Sequence, residues 1–377
     1  MPILFRYFMI PLATQFRHSS ACSEPSLHKL SLAIGSIRFI CWGNTWLLKQ
    51  ESTNQWRFPS LIRRDYMGRL CDYSDLKKVA SFRLSDVNGH KTELLEIESD
   101  HPKVHVLFVP GNPGIVTFYK DFVESLYDFL EGKASVTAIG HISFSAKNWQ
   151  RGKLFSLQQQ IDHKVDFIEQ EGIKVPIVLI GHSIGSYMSL EVLRKFPEKI
   201  IYFLGLYPFL KVNPSSRKQK RISRIAKNPF LSTLLSFTIS SIGCMPKCLR
   251  RHITATYVGK FWSQSAIDAA CTRLIRYHTF RNMLYLANSE FIKLSEELDW
   301  KFIEENEAKM TFLFGIDDHW SPIQLHDEIS MKVPKLPLTI EREGHTHSFC
   351  VTHAGSLWIA QHASTLINRR ITSKSTS

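Results

Sequence analysis

Four largely apolar runs recur along the chain, each short enough for a strand and each followed by a turn signal. They cover residues 104–109, 175–180, 200–206 and 310–314. Such runs are typical of strands buried on both faces inside a parallel sheet. Segments with apolar residues at helical spacing separate them, and this alternation predicts βαβ units. The pattern therefore predicts an α/β fold with a mostly parallel central sheet flanked by helices.

An antiparallel hairpin is predicted ahead of the parallel strands. Residues 82–84 and 94–98 flank Asn88-Gly89, a dipeptide typical of hairpin turns. We expect this pair at an edge of the sheet. Two shorter strands are predicted at residues 136–139 and 338–340. Three helices are predicted at residues 118–130, 154–170 and 356–368.

The first 75 residues do not share this pattern. Residues 1–22 contain two arginines, several hydroxyl side chains and no acidic residue, a composition typical of an organelle transit peptide. A disordered tail is the alternative interpretation. We therefore divide the chain into an N-terminal extension at 1–75 and an α/β domain at 76–377.

Nearly all of the net charge of +13 lies in one segment of the 377-residue chain. Residues 199–267 contain twelve Lys and Arg and no Asp or Glu. Within this segment, Phe230–Ile242 carries no charge and is bracketed by cations. The cations are not interleaved with aromatic residues as in base-stacking motifs, so nucleic acid is not an expected partner.

Two interpretations of the insertion at residues 207–260 stay open. Phe230–Ile242 is too short to cross a bilayer. With the flanking Lys and Arg it suits a helix that lies in a membrane or lipid-droplet interface. The alternative is a cap helix over the active site with a solvated basic rim.

The seven cysteines are scattered and include no Cys-x-x-Cys pair. The sequence therefore predicts neither a disulfide framework nor a zinc site. A reducing compartment fits this pattern, and we expect neither a metal nor a cofactor.

The strand at 175–180 runs directly into Gly181-His182-Ser183-Ile184-Gly185. Gly-x-Ser-x-Gly between a strand and a helix is typical of a nucleophile elbow, in which a serine sits at a sharp turn. Ser183 is therefore the candidate nucleophile. A serine hydroxyl needs a histidine to take its proton, and that histidine needs an acid to orient it.

Candidates for both partners follow later strands, in the chain order Ser, Asp, His expected of doubly wound hydrolases. Asp317 and Asp318 come after the strand at 310–314, and we favour Asp318 because it lies just ahead of a Trp-Ser-Pro turn. His345 and His347 follow the strand at 338–340. The residues alone do not decide between these two histidines.

The oxyanion of an acyl-transfer intermediate needs two fixed donors. One is expected to be the main-chain N–H of Ile184, directly after the nucleophile. The other is expected from Pro110-Gly111-Asn112-Pro113, where the prolines have no N–H. Asn112 is the favoured donor and Gly111 the second choice.

These motifs together resemble the lipid droplet-associated hydrolase family of α/β-hydrolases. The resemblance covers about residues 80–368 and rests on Val109–Gly114 with Phe118-Tyr119, Gly181–Gly185, Asp318-x-Trp320-x-Pro322 and His347-x-Phe349. It implies an α/β-hydrolase fold and a Ser-Asp-His triad, and it favours His347 as the base. It also implies association with lipid droplets and the endoplasmic reticulum through an apolar mid-chain segment, which corresponds to Phe230–Ile242 here.

The sequence thus predicts a serine hydrolase that cleaves carboxylic esters of lipids, with sterol esters as one substrate that the resemblance suggests. An alternative function is a protein that coats or organises lipid droplets and has weak or vestigial hydrolase activity. The expected location is the lipid droplet and the endoplasmic reticulum. An organelle addressed by residues 1–22 is the alternative.

Overall fold

The computed structural model describes residues 78–258 and 261–375, together with four strands within residues 31–57. By its internal contacts the chain divides into two compact units. One contains the four strands within residues 31–57, and the other contains the described residues from Val79 onward. The predicted targeting segment at residues 1–22 lies outside the described residues.

The smaller unit contains a four-stranded antiparallel sheet in sequential order. Its strands are β1 (Ser31–Ile34), β2 (Ile37–Trp42), β3 (Thr45–Gln50) and β4 (Trp56–Arg57). The sequence pattern of residues 1–75 predicted no strand here.

The larger unit is built on an eight-stranded sheet. Its strands are β5 (Ser81–Val87), β6 (His90–Ile97), β7 (Val104–Val109), β8 (Ala134–Ile139), β9 (Ile177–His182), β10 (Ile200–Leu206), β11 (Met310–Gly315) and β12 (Leu338–Glu341). Their order is β12-β11-β10-β9-β7-β8-β6-β5. The pairs from β12 to β8 are parallel, and β6 pairs antiparallel with both β8 and β5. The predicted mostly parallel sheet and its edge hairpin are confirmed.

Helices cover both faces of this sheet and the edge where its parallel strands end. They are α1 (Lys120–Phe129), α2 (Leu157–Glu171), α3 (Ile184–Lys195), α4 (Arg217–Lys227), α5 (Pro229–Gly243), α6 (Lys247–Val258), α7 (Gln264–Ala269), α8 (Tyr277–Lys293), α9 (Trp300–Glu305), α10 (Ile323–Lys332) and α11 (His353–Ser375). The closing helix α11 runs past residue 368, where the apolar pattern ends, to Ser375.

The core explains why the central strands read as continuous apolar runs. Every residue of β9, β10 and β11 is buried. Because β9 lies between β7 and β10, its carboxyl end emerges in the middle of the sheet. The loops that follow β7, β9, β11 and β12 all leave the same edge of the sheet, since these strands are parallel.

Helices α4 to α9 form one long excursion between β10 and β11, which we call the cap (residues 207–309). Helix α8 packs against α4 and α5. Among the described residues, no single helix has the length and hydropathy of a membrane span. Pro229–Gly243 and Lys247–Thr256, bent by 119° at their junction, meet those criteria only when taken together.

Candidate active site

Ser183 occupies a strained turn between β9 and α3. Its φ of 55° and ψ of −123° lie in a region that side chains rarely adopt. Glycines make this turn possible: a Cβ on Gly181 would lie 2.5 Å from the carbonyl oxygen of Gly185, and one on Gly185 would lie 2.2 Å from that of Val109. The chain therefore reverses tightly enough to present the serine at the edge of the sheet.

Ser183, His347 and Asp318 are joined by hydrogen bonds. His347 Nε2 lies 2.9 Å from Ser183 Oγ, and His347 Nδ1 lies 2.7 Å from Asp318 Oδ2. The second carboxylate oxygen, Asp318 Oδ1, accepts from the main-chain N–H of Trp320 at 2.8 Å. The side chains of Ser183, His347 and Asp318 are all buried.

The acceptor-only carboxylate of Asp318 sets the tautomer of His347. Nδ1 carries the proton donated to Asp318, which leaves Nε2 as an acceptor for the hydroxyl proton of Ser183. The alternative candidates from the sequence, His345 for the base and Asp317 for the acid, lie elsewhere. The ring of His345 packs against Trp358, with ring centroids 5.7 Å apart, and Asp317 is exposed.

The loop after β7 lies beside Ser183 and contains the candidate oxyanion donors Gly111 and Asn112. The N–H of Gly111 donates to the hydroxyl oxygen of Tyr119 at 3.1 Å. The side-chain amide of Asn112 donates to the carbonyl oxygen of Met283 and to Glu290 Oε1, each at 3.0 Å. Within the described residues, no hydrogen bond engages the main-chain N–H of Asn112 or of Ile184.

A second chain of hydrogen bonds holds this loop and the histidine loop together. His182 Nε2 lies 2.8 Å from the carbonyl oxygen of His347, and His182 Nδ1 lies 2.7 Å from the hydroxyl of Tyr119. Burial lowers the pKa of His182 well below its usual range and raises that of Tyr119 well above its own. Both groups are therefore neutral, which fixes the direction of each bond. His182 Nε2–H donates to the carbonyl, and Tyr119 donates to Nδ1 while accepting from Gly111.

A largely apolar cavity of about 130 Å³ opens beside Ser183. Its apolar lining comes from the segment after β7, from the cap, and from the segments after β11 and β12. It includes Phe118, Phe209, Ile222, Met283, Leu284, Ala287, Trp320 and Val351. An apolar cavity near this size holds a benzene ring, so short or ring-sized acyl groups fit it. The lining also contains one carboxyl group, that of Glu290.

Sequence reasoning missed Glu290 as a part of this site. It included Tyr119 and His182 in the motifs of the resemblance but gave neither a catalytic role. Helical spacing contained a signal for Glu290, because it shares a face with Leu286 and Leu294, both buried. Of the remaining histidines near the site, His141 is buried with no hydrogen bond to its ring among the described residues. No group of three His, Cys, Asp or Glu side chains in the described part of the chain is placed to hold a metal ion.

Helix α5 has two unlike faces. Leu235 and Ile239 are buried, on the side that packs against α8. The other side exposes four large apolar side chains, which we call the surface patch: Phe230, Leu231, Leu234 and Phe237. The preceding helix α4 exposes five cations, Arg217, Lys220, Arg221, Arg224 and Lys227.

The sequence matches a family of known proteins. The family model described as lipid-droplet associated hydrolase matches residues 102–350. The lipid droplet-associated hydrolase of Homo sapiens is 27% identical over 284 residues, covering 70% of this chain and 85% of that protein. That of Rattus norvegicus is 26% identical over 304 residues, covering 76% and 91%.

Solved structures show the same architecture. A carboxylesterase of the Thaumarchaeon Nitrososphaera gargenis superposes with a TM-score of 0.55 at 15% identity, over 78% of this chain and 100% of that one. DBJA superposes with a TM-score of 0.59 at 12% identity, over 77% and 97%. At such identities the likeness concerns the fold alone, and it agrees with the predicted α/β-hydrolase fold.

Proposed function

Because the chain belongs to the lipid-droplet associated hydrolase family, we propose that it is a serine hydrolase that cleaves carboxylic esters of lipids. The observation that carries this proposal is the hydrogen-bonded series from Ser183 through His347 to Asp318 beside an apolar cavity. Ser183 acts as nucleophile, His347 as general base and then general acid, and Asp318 orients the imidazole.

Acylation forms the bond between Ser183 Oγ and the carbonyl carbon of the ester. His347 Nε2 takes the hydroxyl proton as this bond forms, and the negative charge moves to the carbonyl oxygen. When the intermediate collapses, the bond to the alcohol oxygen breaks and His347 returns the proton to that oxygen. Water repeats the sequence on the acyl-enzyme, releasing the carboxylic acid and restoring Ser183.

The oxyanion of each intermediate is assigned to the main-chain N–H groups of Ile184 and Asn112. The N–H of Gly111, the second choice from sequence, already donates to Tyr119. The side-chain amide of Asn112 is also engaged. This leaves the main chain of Asn112 as the donor from the β7 loop.

The surface patch and the cations of α4 suggest where the reaction takes place. Exposed apolar side chains next to cations favour binding to an interface with anionic headgroups. The named relatives are lipid droplet-associated, and we extend that location to this chain, with the endoplasmic reticulum as a second membrane. Sterol esters are one substrate class to test.

A fluorophosphonate probe tests the assignment of the nucleophile directly. Ser183 Oγ bonds to phosphorus, fluoride leaves, and His347 takes the hydroxyl proton, so only an activated serine reacts. We expect wild-type protein to be labelled and Ser183→Ala to show no labelling, while Ser189→Ala, a buried serine of α3, retains it. Equal labelling of wild type and Ser183→Ala would overturn the assignment.

The surface patch also favours a second candidate function, that of a droplet-coating protein with little hydrolysis. This function predicts binding to lipid surfaces without reaction with the probe. Wild-type protein that binds phospholipid vesicles but neither labels nor cleaves short, glycerol or sterol esters would support it against the esterase.

A further inference from the structure

Glu290 is a buried carboxyl group in the wall of the candidate acyl pocket. It lies on cap helix α8, is 3% exposed, and lines the same cavity as Ser183 and His347. Its Oε1 accepts from the side-chain amide of Asn112 at 3.0 Å. The proposed mechanism gives this carboxyl group no role. Burying a carboxyl group is costly unless hydrogen bonds compensate it, and for Glu290 that bond comes from Asn112.

The cap holds Asn112 at two points. One N–H of its amide points to Glu290 and the other to the carbonyl oxygen of Met283, about two helical turns earlier on α8. Pro110 and Pro113 flank the short loop and restrict its backbone. Two hydrogen bonds from the side chain and two flanking prolines together restrict the conformations open to Asn112.

Two effects of opposite sign act on the pKa of Glu290: burial raises it, and the hydrogen bond from Asn112 lowers it by a smaller amount. Burial raises the pKa of its carboxyl to about 8, so the group is neutral at neutral pH. The other titratable side chains lining the cavity are Tyr119, His182, His347 and Cys350. Burial raises the pKa of Tyr119 and Cys350 and lowers that of His182, so these three keep their charge state near pH 8.

We infer that Glu290 is a positioning residue of the reaction: it holds Asn112 from the cap so that the main-chain N–H of Asn112 points at the developing oxyanion. The inference rests on the proposed serine esterase function and adds to it. It also couples the pocket to the oxyanion donor, because α8 carries Glu290 together with the pocket residues Leu284 and Ala287. A displacement of α8 would disturb both the pocket and the oxyanion donor.

Two substitutions separate this role from a packing role. Glu290→Gln keeps an oxygen that accepts from Asn112, whereas Glu290→Leu fills the space without an acceptor. We expect Glu290→Leu to lower the second-order rate of fluorophosphonate labelling about 10- to 100-fold. It should lower kcat on p-nitrophenyl butyrate by a similar factor and leave KM within about twofold. Glu290→Gln should stay within about threefold of wild type near pH 7.

The pH dependence of the labelling rate is a second measurement, and a side chain that only fills space would not change it. Above pH 8 the ionised Glu290 places a negative charge next to the oxyanion site, which opposes the charge that forms there. The ratio of the labelling rates of Glu290→Gln and wild type should therefore rise by about threefold or more from pH 7 to pH 9.

Glu296→Gln, an exposed position just after α8, is the control and should match wild type at each pH. Reaction of Glu290→Leu at the wild-type rate, or a constant ratio across pH, would overturn the positioning role. Wild-type protein that does not label at all would instead overturn the proposed function. The two failures are thus distinguishable.

Discussion

At the scale of single residues, the strained backbone of Ser183 is held by its surroundings. Residues in such conformations cost roughly 1–3 kcal/mol each and persist only where the structure over-determines them. Here the N–H of Ser183 donates to the carbonyl oxygen of Leu206 at 3.0 Å, and its own carbonyl oxygen accepts from Phe209 at 3.1 Å. The end of β10 and the loop after it therefore hold the nucleophile in its strained turn.

Tyr119 connects the oxyanion loop to the histidine loop, which leads to a prediction. Tyr119→Phe removes the acceptor for Gly111 and the donor to His182, and leaves two buried polar groups without partners. Each such group costs ~1–3 kcal/mol. We expect kcat on a short ester to fall about 10- to 100-fold with little change in KM. Steady-state kinetics on p-nitrophenyl butyrate measures both.

Tyr127→Phe is the matched control, because this nearly buried tyrosine lies on α1 and does not line the cavity. Its kcat should equal that of wild type. If Tyr119→Phe also retained full kcat, the two loops would not depend on each other as we argue.

The sequence could predict the candidate catalytic residues, which follow strand ends, but not the residues that position them. Ser183, Asp318 and His347 each follow a strand of one parallel sheet, so topology brings them to one edge. Asn112 and Glu290 are 178 residues apart and meet only through the packing of α8 on the oxyanion loop. Local pattern contains no information about such a contact, and the same holds for the bond between His182 and the carbonyl oxygen of His347.

At the scale of elements, helix α5 combines a cap helix with an apolar outer face. Its buried side packs on α8, as the cap interpretation predicted, while its outer side exposes apolar residues, as the interface interpretation requires. The cap interpretation describes the buried side of α5, and the interface interpretation describes its exposed side. Apolar spacing could not separate them, because α5 is apolar on most of its circumference.

The surface patch leads to a prediction on lipid binding. Replacing three of its side chains with serine removes apolar area that is already exposed, so the fold should be retained. We expect vesicles of phosphatidylcholine with phosphatidylserine to bind this variant at least about tenfold more weakly in a flotation assay. The three substitutions are Phe230→Ser, Leu234→Ser and Phe237→Ser.

The matched control places three serines at exposed apolar positions outside the cap, Val79, Met331 and Leu357. This control should bind vesicles like wild type, and both variants should label with fluorophosphonate at the wild-type rate. Unchanged vesicle binding by the patch variant would contradict a role of α5 at the lipid surface.

At the scale of the whole molecule, the fold buries several groups that ordinarily carry charge. His141, His163, His182 and Lys164 are buried, and burial lowers the pKa of each well below its usual range. Glu290 shifts in the opposite sense, to about 8. The sequence order of strands and helices predicted the sheet, but it did not predict these groups, because burial of a polar residue depends on the final packing.

These shifts determine how stability depends on pH. A base with a lowered pKa in the folded state contributes stability that is lost as pH falls, since the unfolded chain binds the proton more readily. Glu290, with a raised pKa, contributes stability that is lost as pH rises from about 4.5 to about 8. The lowered pKa of Lys164 acts on stability in the direction opposite to that of Glu290. Below pH 6.5 the three histidines add a loss of stability, because their unfolded forms take up protons there.

We expect the Tm to fall by roughly 5 °C or more from about pH 7.5 to about pH 5.5, measured by differential scanning calorimetry. His141→Phe removes one of the three groups, and its ring fills a site in edge contact with Phe144. This variant should lose roughly 2–4 °C less than wild type over the same interval, whatever its absolute Tm. His101→Phe, at an exposed position, should show the wild-type pH dependence. An equal loss in His141→Phe and wild type would mean that protonation of this buried histidine does not limit stability in acid.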